Sequence, residues 1–429
     1  MMKALRRTAI AIALLLFAGA AAWWSLRPGR LPAPAPDGAA TAGVQDDAVR
    51  AARGSYLARA GHCAGCHTAR GGAPYAGGRA IATPFGSVAS ANLTPDGATG
   101  LGAWSGADFR RALREGVSRD GRLLYPACPY PNFTLVSDED ADALWAFLRR
   151  LEPVAQAPRA HDLRFPMNTQ AALGAWRALF FRIRHFEPDA QRSASWNRGA
   201  YLVQGLGHCS ACHARRNALG ASVDSAALDG ATMPAPPWYA PSLAAPHEGS
   251  LAAFAAPEAL RLLRDGVSET AGASGPMATV VRGSTQHLDE ADLRAMVEYL
   301  RSLPAPARPA RPRTATAVAT DEGLALYERH CADCHGRRGE GVRGIYPALA
   351  GNRALLMDPP ANAVLTVLLG GFAPATAGNP RPFGMPPFAT QLSDAEIAAV
   401  LSTVRASFGN AGSAVSAQDV GGYRGSGAP

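Results

Sequence analysis

The segment Cys63-Ala64-Gly65-Cys66-His67 decides the fold, because its pattern, Cys-x-x-Cys-His, occurs twice more in the chain. The other copies are Cys209-Ser210-Ala211-Cys212-His213 and Cys331-Ala332-Asp333-Cys334-His335. Two thiols three positions apart lie on one face of a helical turn, and an imidazole follows directly. The three motifs take six of the seven cysteines, which argues against a disulfide scaffold.

This arrangement predicts covalent attachment of haem c at each motif. The two thiols add to the vinyl groups of the haem, and the histidine becomes its proximal iron ligand. Zinc or a redox dithiol would suit a lone copy, but zinc favours paired Cys-x-x-Cys units at a fixed separation. Here the first cysteines are 146 and 122 residues apart, which is typical of repeated domains. We therefore predict three haem c groups, with His67, His213 and His335 as proximal ligands.

The repeat extends beyond the motif and defines three small helical units. A Gly-x-Tyr-Leu segment precedes each of the first two motifs, and each unit ends in a helix with a capping residue and an acid three positions later. Those caps are Ser137, Asp289 and Ser393. This order is typical of class I cytochrome c domains. We predict a mainly α fold of three such tandem domains, joined by linkers and spanning 46–157, 193–304 and 319–411.

The sixth iron ligand is expected on the loop before each closing helix. Met277, beside Pro276, and Met385, beside Pro386, stand there in the second and third units. A thioether is a soft, neutral ligand that favours Fe(II) and raises the reduction potential. His287 is the alternative to Met277, and both methionines would otherwise be ordinary core residues.

The first unit carries Cys128 at the equivalent position, within Tyr125-Pro126-Ala127-Cys128-Pro129. Three interpretations remain open. Cys128 is the axial ligand as a thiolate, which would stabilise Fe(III) and give the first haem the lowest potential. Alternatively, it is a buried inert thiol, or it forms an intermolecular or modified sulfur species.

The segments between and around the units have their own character. Residues 1–45 combine a basic start, an apolar run and a Pro/Ala/Gly-rich linker, and predict export with either a cleaved signal or a retained anchor. The connector 158–192 holds an amphipathic helix from Gln170 to Phe186, suited to inter-domain packing or to a membrane or partner surface. The Pro/Ala/Arg-rich linker 305–318 predicts looser packing of the third unit, and 412–429 is expected to be a disordered tail.

The net charge of +8 suits an anionic membrane surface or an acidic partner. The arginines are scattered and no nucleic-acid-binding motif accompanies them, so no nucleic-acid partner is expected.

Together these features resemble the tri-haem cytochrome c subunit of bacterial membrane-bound alcohol, gluconate and aldehyde dehydrogenases. The resemblance covers nearly all of 46–410 and is carried by segments 196–202, 238–243, 275–278, 284–286, 347–352 and 392–394. It implies a subunit without a substrate site, which takes electrons from a catalytic dehydrogenase subunit of quinoprotein, flavoprotein or molybdenum type. The acceptor would be ubiquinone or a terminal oxidase. Cys128 departs from the family, which has methionine there.

We therefore expect an electron-transfer subunit on the periplasmic side of the inner membrane, anchored or peripherally associated, and no enzyme by itself. The alternative is an autonomous haem enzyme, peroxidase-like or thiosulfate-oxidising, that uses the first haem. Such an enzyme needs an open or displaceable sixth position, and Cys128 makes the first haem the candidate.

Overall fold

The structure, a computed structural model, describes residues 44–269, 271–305 and 316–426. Nearly all of the predicted export segment and its linker lies outside these residues, as does most of the linker 305–318. In the described ranges the chain forms three mainly helical units, as predicted, each opened by a helix that leads into a Cys-x-x-Cys-His turn. No helix in these ranges is both long enough and apolar enough to cross a membrane.

The first unit combines five helices with a small antiparallel sheet. The helices are α1 (Val44–Ala60), α2 (Cys63–His67), α3 (Gly106–Glu115), α4 (Tyr130–Phe133) and α5 (Asp138–Leu148). The strands, in the order in which they pair, are β1 (Ala80–Thr83), β2 (Gly86–Ala89) and β3 (Asp162–Leu163). The register sets Ala80 opposite Ala89 and Gly86 opposite Leu163. Because β3 belongs to the connector, this sheet ties the connector to the first unit.

The connector helix α6 (Gln170–Phe180) packs between the first two units. Trp176 is buried beside Tyr130 of the first unit, and its Nε1 donates to the Leu219 carbonyl of the second at 2.9 Å. The inter-domain packing role is therefore confirmed. The predicted helix ends six residues early, because Phe181 adopts an extended backbone as its side chain joins the same small core.

The second unit repeats the order of the first with different loops. Its helices are α7 (Ala194–Tyr201), α8 (Ser210–His213), α9 (Ala256–Asp265), α10 (Gly275–Gly283) and α11 (Glu290–Arg301). A π-helix, Leu202–Leu206, continues α7 towards the motif. Two 3₁₀ turns (Leu251–Ala253, Thr285–His287) and the hairpin of β4 (Ala231–Thr232) with β5 (Tyr239–Ala240) complete it.

The third unit has six described helices and one two-stranded sheet. The helices are α12 (Asp321–His330), α13 (Ala332–His335), α14 (Arg353–Leu356), α15 (Ala361–Leu369), α16 (Asp394–Ala406) and α17 (Ala417–Gly425). The strands β6 (Gly371–Phe372) and β7 (Gly384–Met385) pair antiparallel, with Gly371 opposite Met385.

The expectation of a disordered tail is wrong for most of 412–429, because α17 is part of the third unit. Ser416 caps this helix in a capping box with Asp419, and Val420 is fully buried in the core of the third unit. Arg424 reaches back to the Asp394 carboxylate at 2.7 Å. Two buried valines, Val415 and Val420, and the ion pair of Arg424 thus hold a segment whose overall apolar content is low.

The opening and closing helices of each unit cross at a glycine. A Cβ on Gly54 would lie 1.8 Å from the Ala143 carbonyl oxygen, and one on Gly199 would lie 2.0 Å from that of Ala295. Gly323 of the third unit meets α16 just as closely. Any larger residue would force the two helices apart. The close crossing explains glycine inside a helix, where it costs roughly 1 kcal/mol relative to alanine.

The first two units share one continuous apolar core, whereas the third has its own. A tyrosine from the first unit completes the cap of the closing helix of the second. The Tyr56 hydroxyl donates to Asp292 Oδ2 at 2.7 Å and accepts from the Asp289 N–H at 3.3 Å. Arg198 binds the same carboxylate with two bonds of 2.7 Å.

The reciprocal arrangement caps α5 of the first unit. The Tyr201 hydroxyl donates to Asp140 Oδ2 at 2.7 Å and accepts from the Ser137 N–H at 3.3 Å, and Arg53 binds Asp140 Oδ1. This exchange is the signature of a two-fold-like contact between repeated units. In the third unit Glu396 forms a capping box with Ser393. The cap there is therefore complete without a side chain from another unit.

The third unit has a core of its own, in keeping with the expected looser packing, and directed hydrogen bonds also join it to the second unit. The Asn362 amide accepts from the Tyr239 N–H at 2.9 Å and donates to the Tyr239 carbonyl at 2.8 Å. Thr376 Oγ1 donates to the Asp265 carbonyl at 3.2 Å. The composition of the linker says nothing about these contacts, which arise from residues far from it.

Candidate haem c sites

Each Cys-x-x-Cys-His motif forms a single helical turn at the end of an opening helix, in α2, α8 and α13. The residue before the motif bends the chain sharply in the first two units. His62 has φ 51° and His208 has φ 40°, a left-handed conformation that is uncommon for residues other than glycine. The turn sets both cysteines on one face and directs the final histidine into its unit.

The three predicted proximal histidines are held in the same way. The Nδ1 of His67, His213 and His335 lies 2.7, 2.7 and 2.9 Å from the carbonyl oxygens of Ala91, Pro241 and Pro347 respectively. A carbonyl oxygen only accepts, so Nδ1 carries the proton and Nε2 keeps its lone pair. Burial lowers the pKa of all three imidazoles, which keeps them neutral. A neutral, oriented imidazole is what a metal ligand requires.

The second site is enclosed by a deep cavity with mostly apolar walls. His213, Met277, Cys209 and Cys212 all line it. The structure therefore brings together the two attachment cysteines, the proximal histidine and the predicted thioether ligand of the second unit. His287 is exposed and is not among the lining residues, which favours Met277 over that alternative. Met233, Met296 and Met357 also contribute to the walls.

The attachment cysteines of all three motifs form no disulfide. Burial raises the pKa of Cys63 and Cys209 to about 12 and that of Cys331 to about 11, with their motif partners adding to the shift. A structural zinc site takes four ligands, commonly from two paired Cys-x-x-Cys units, whereas each of these motifs supplies two thiols and one imidazole. The cysteines therefore suit thioether formation better than a structural zinc site.

Cys128 lies in the first site, as its position in the sequence predicts. Its thiol is close enough to Cys63 and Cys66 for their ionisations to interact. Burial, with a contribution from Cys66, raises the pKa of Cys128 to about 12. The Cys128 N–H donates to the Tyr125 carbonyl at 3.1 Å, so a tight turn fixes this loop.

Met385 of the third unit lies on β7 and packs against the core of that unit. Gly370, with φ 62°, approaches the Met385 carbonyl so closely that a Cβ would lie 2.4 Å from its oxygen. The strand pair and this close approach fix the backbone at the methionine. Its approach to His335 stays a prediction.

The second cavity lies where the three units meet. Cys66 of the first motif is near enough to Cys212 of the second to raise its pKa, although burial is the larger cause. His62 of the first unit and four residues of the third unit line the second cavity. The second cavity therefore contacts residues of both neighbouring units.

Sequence reasoning missed the histidines before the motifs as wall residues. Both His62 and His208 line the second cavity, and burial lowers the pKa of each. It also missed the exchange of Tyr56 and Tyr201 between units. The signal was present, because Arg-Gly-x-Tyr occurs at 53–56 and again at 198–201 with an acid at the third position of each closing helix.

These observations fit haem c. The apolar cavity of the second site would take the porphyrin, the two thiols of each repeated turn could add to the vinyl groups, and a neutral imidazole with a fixed Nδ1 could bind the iron through Nε2. Met277 lines the cavity of the second site, where it could supply a thioether.

Comparison with known proteins agrees with this assignment. The cytochrome c family profile matches residues 51–152, 197–304 and 320–405, together more than half of the chain.

Several curated relatives cover most of this chain. It is 43% identical to a nicotinate dehydrogenase subunit of Pseudomonas putida over 364 residues, 83% of this chain but 30% of that protein. It is 37% identical to the gluconate 2-dehydrogenase cytochrome c subunit of Pantoea cypripedii, across 90% of this chain and 92% of the relative. It is 38% identical to the alcohol dehydrogenase (quinone) cytochrome c subunit of Gluconobacter oxydans, across 91% and 85%. The chain belongs to the cytochrome c family, whose domains bind haem c covalently and transfer electrons.

Proposed function

We propose that this protein is a tri-haem electron-transfer subunit that accepts electrons from a separate catalytic dehydrogenase subunit and delivers them to ubiquinone or a terminal oxidase. The relatives named as cytochrome c subunits of gluconate and alcohol dehydrogenases support a catalytic partner of this kind. The partner is of quinoprotein, flavoprotein or molybdenum type. The relay works on the periplasmic side of the inner membrane.

The observation that carries the proposal is that residues of all three units line the second cavity. Haem c, when bound, supplies reversible one-electron chemistry at its iron. The chain's own contribution is to attach each group through two cysteines, orient one histidine through a backbone carbonyl, and exclude water with apolar walls. The proximity of Cys66 to Cys212 and the contact of the third unit with the second cavity support a relay between the units.

We propose Cys128 as the sixth ligand of the first haem, in the thiolate form. Its burial and its position beside Cys63 and Cys66 support this role. The thiol is protonated by itself, but a bound metal cation deprotonates a coordinating thiol. Near-infrared spectra of the oxidised protein test the assignment, since methionine charge-transfer bands that account for all three haems would exclude it.

We further propose that the connector associates with the anionic membrane surface. Phe165, Leu179 and Ile183 are 82%, 66% and 53% exposed, and the exposed arginines Arg182 and Arg184 flank the last of these. Apolar side chains beside arginines suit an interface with anionic headgroups.

Vesicle co-sedimentation of the holoprotein tests this surface. Leu179→Glu with Ile183→Glu is expected to abolish binding to vesicles that contain anionic lipid. Val318, 70% exposed on the third unit, provides the matched control as Val318→Glu. Equal binding by the wild type and the double variant would refute the proposal.

The electron-transfer role is tested by purifying the tagged chain from its native membranes. We expect a catalytic dehydrogenase subunit to co-purify, and its substrate to reduce all three haems in the complex. The isolated chain should show no reduction by the same substrate. Substrate turnover by the isolated chain, with rapid binding of carbon monoxide or cyanide to one haem, would instead support the autonomous enzyme.

A further inference from the structure

The wall of the second cavity is built partly by the other two units. Most lining residues belong to the second unit itself. The first unit adds Ala60 and His62, and the third unit adds a group from α14 and α15: Arg353, Ala354, Met357 and Asn362. The middle site is therefore complete only when the third unit is docked.

Arg353 brings a positive charge to this wall. Its guanidinium donates to the carbonyl oxygens of Pro246 and Ala253, each at 3.1 Å, and lies 4.5 Å from the centre of the Phe254 ring. All three partners belong to the second unit. Arginine has five N–H donors in a rigid fork, so two carbonyl bonds and a ring contact fix its direction while other donors remain for an anionic group.

One further contact, from α15, joins the third unit to the second, and another fixes the end of α14 within the third unit. Asn362 makes its two hydrogen bonds with the backbone of Tyr239, which itself lines the cavity. Behind α14, the fully buried Arg405 donates to the Met357 carbonyl at 3.1 Å and pairs with Asp358 at 2.9 Å. The position of Arg353 is thus set by packing on both sides and not by a flexible loop.

Besides Cys209, Cys212 and His213 of the motif, the other charged or titratable side chains that line the cavity are Glu248, Tyr239, His62 and His208. Glu248 accepts from the Tyr239 hydroxyl at 2.8 Å and from the Ser242 N–H at 2.7 Å. His62 and His208 are kept neutral by burial, which lowers the pKa of each. Arg353 and Glu248 are therefore the cation and the anion that set the electrostatic potential of this wall.

We propose that the third unit supplies Arg353 as a charged wall of the second haem site, where it raises the reduction potential of the haem. The proposal rests on the assignment of haem c to this site. Reduction adds an electron, and a fixed cation in a partly buried wall favours the reduced state through an interaction that solvent screens only weakly. Arg353 tunes the reduction potential of the second haem, and that potential therefore depends on the docking of the third unit.

The test is a spectroelectrochemical titration of the full-length holoprotein with Arg353→Gln. We expect the equilibrium constant for reduction of one haem to fall on the order of tenfold, which is about 59 mV for a one-electron couple. Arg353→Lys should restore most of the wild-type reduction potential of that haem. Glu248→Gln should change the potential of the same haem in the opposite direction, raising it. A Met277→His variant identifies that haem, since it changes the axial ligand of the second site alone.

Two controls separate charge from docking. Arg343 lies at the same interface, is 84% exposed and pairs with Glu269, so Arg343→Gln should leave all three potentials unchanged. Asn362→Ala loosens the docking and keeps the charge, so its shift should be smaller than that of Arg353→Gln. An unchanged titration for a folded Arg353→Gln protein, or an equal shift in either control, overturns the proposal. Mass measurement of each variant shows whether the haems are attached, and a missing haem would contradict the underlying function instead.

Discussion

Replacing Gly199 with alanine should destabilise the protein by about 2–4 kcal/mol. The new Cβ would lie 2.0 Å from the Ala295 carbonyl oxygen and 2.5 Å from its carbon. Relief requires α7 and α11 to separate by more than 1 Å, and overpacking of this kind costs roughly 1–3 kcal/mol or more. Separation also forfeits about a quarter to a half of the dispersion energy of neighbouring contacts. The gain in helix propensity, about 1 kcal/mol, offsets only part of this cost.

Gly174 offers a matched control, since it also lies inside a helix. The nearest atom to its Cβ would be Leu123 Cδ1 at 3.8 Å, an ordinary contact. Gly174→Ala should therefore stabilise the chain by about 0.5–1 kcal/mol.

Urea unfolding of the two holoproteins, followed by circular dichroism, compares them directly. We expect the unfolding free energy to fall in Gly199→Ala and to rise in Gly174→Ala. A Gly199→Ala protein within about 0.5 kcal/mol of the wild type would refute the inference that the terminal helices cross at this glycine.

Three further outcomes follow from the structure. Tyr56→Phe should cost about 1.5–3 kcal/mol in urea unfolding, because it removes one hydrogen bond to the Asp292 carboxylate and the acceptor of the Asp289 N–H. Tyr327→Phe, which loses a bond to a neutral carbonyl, should cost about 1 kcal/mol. Bonds from Arg198 and Tyr56 outweigh the effect of burial and lower the pKa of Asp292, so its stabilising contribution is complete above about pH 4 and is lost as the pH falls further. Asp292→Asn should remove that part of the pH dependence, and an unchanged acid profile of the unfolding free energy would contradict it. Cys128→Met should raise the potential of the first haem on the order of a few hundred millivolts, within the roughly 0.8 V that axial ligands span, and an unchanged titration would exclude thiolate ligation.

The local parts of this molecule follow from its sequence. The Cys-x-x-Cys-His turns are short-range patterns, and so are the capped closing helices that begin after Ser137, Asp289 and Ser393. Each cap bonds within three residues, so it needs no knowledge of the rest of the chain.

The contacts between units did not follow from the sequence, because their partners are far apart in the chain. Asp140 and Asp292 look like the acids of ordinary capping boxes, yet each binds a tyrosine from the neighbouring unit. Arg353 is the first residue of a short helix with no motif of its own, and only the docked third unit brings it to the second cavity. Composition also misled for the tail, where Val415 and Val420 are both buried in the core of the third unit.

Covalent attachment of haem at three separate motifs is the central claim, and mass spectrometry of peptides from the holoprotein tests it most directly. We predict one haem on each of the peptides that contain Cys63 with Cys66, Cys209 with Cys212, and Cys331 with Cys334. The intact chain should carry the mass of three haems. A peptide from any of the three motifs that is recovered with both cysteines as free thiols would contradict the account.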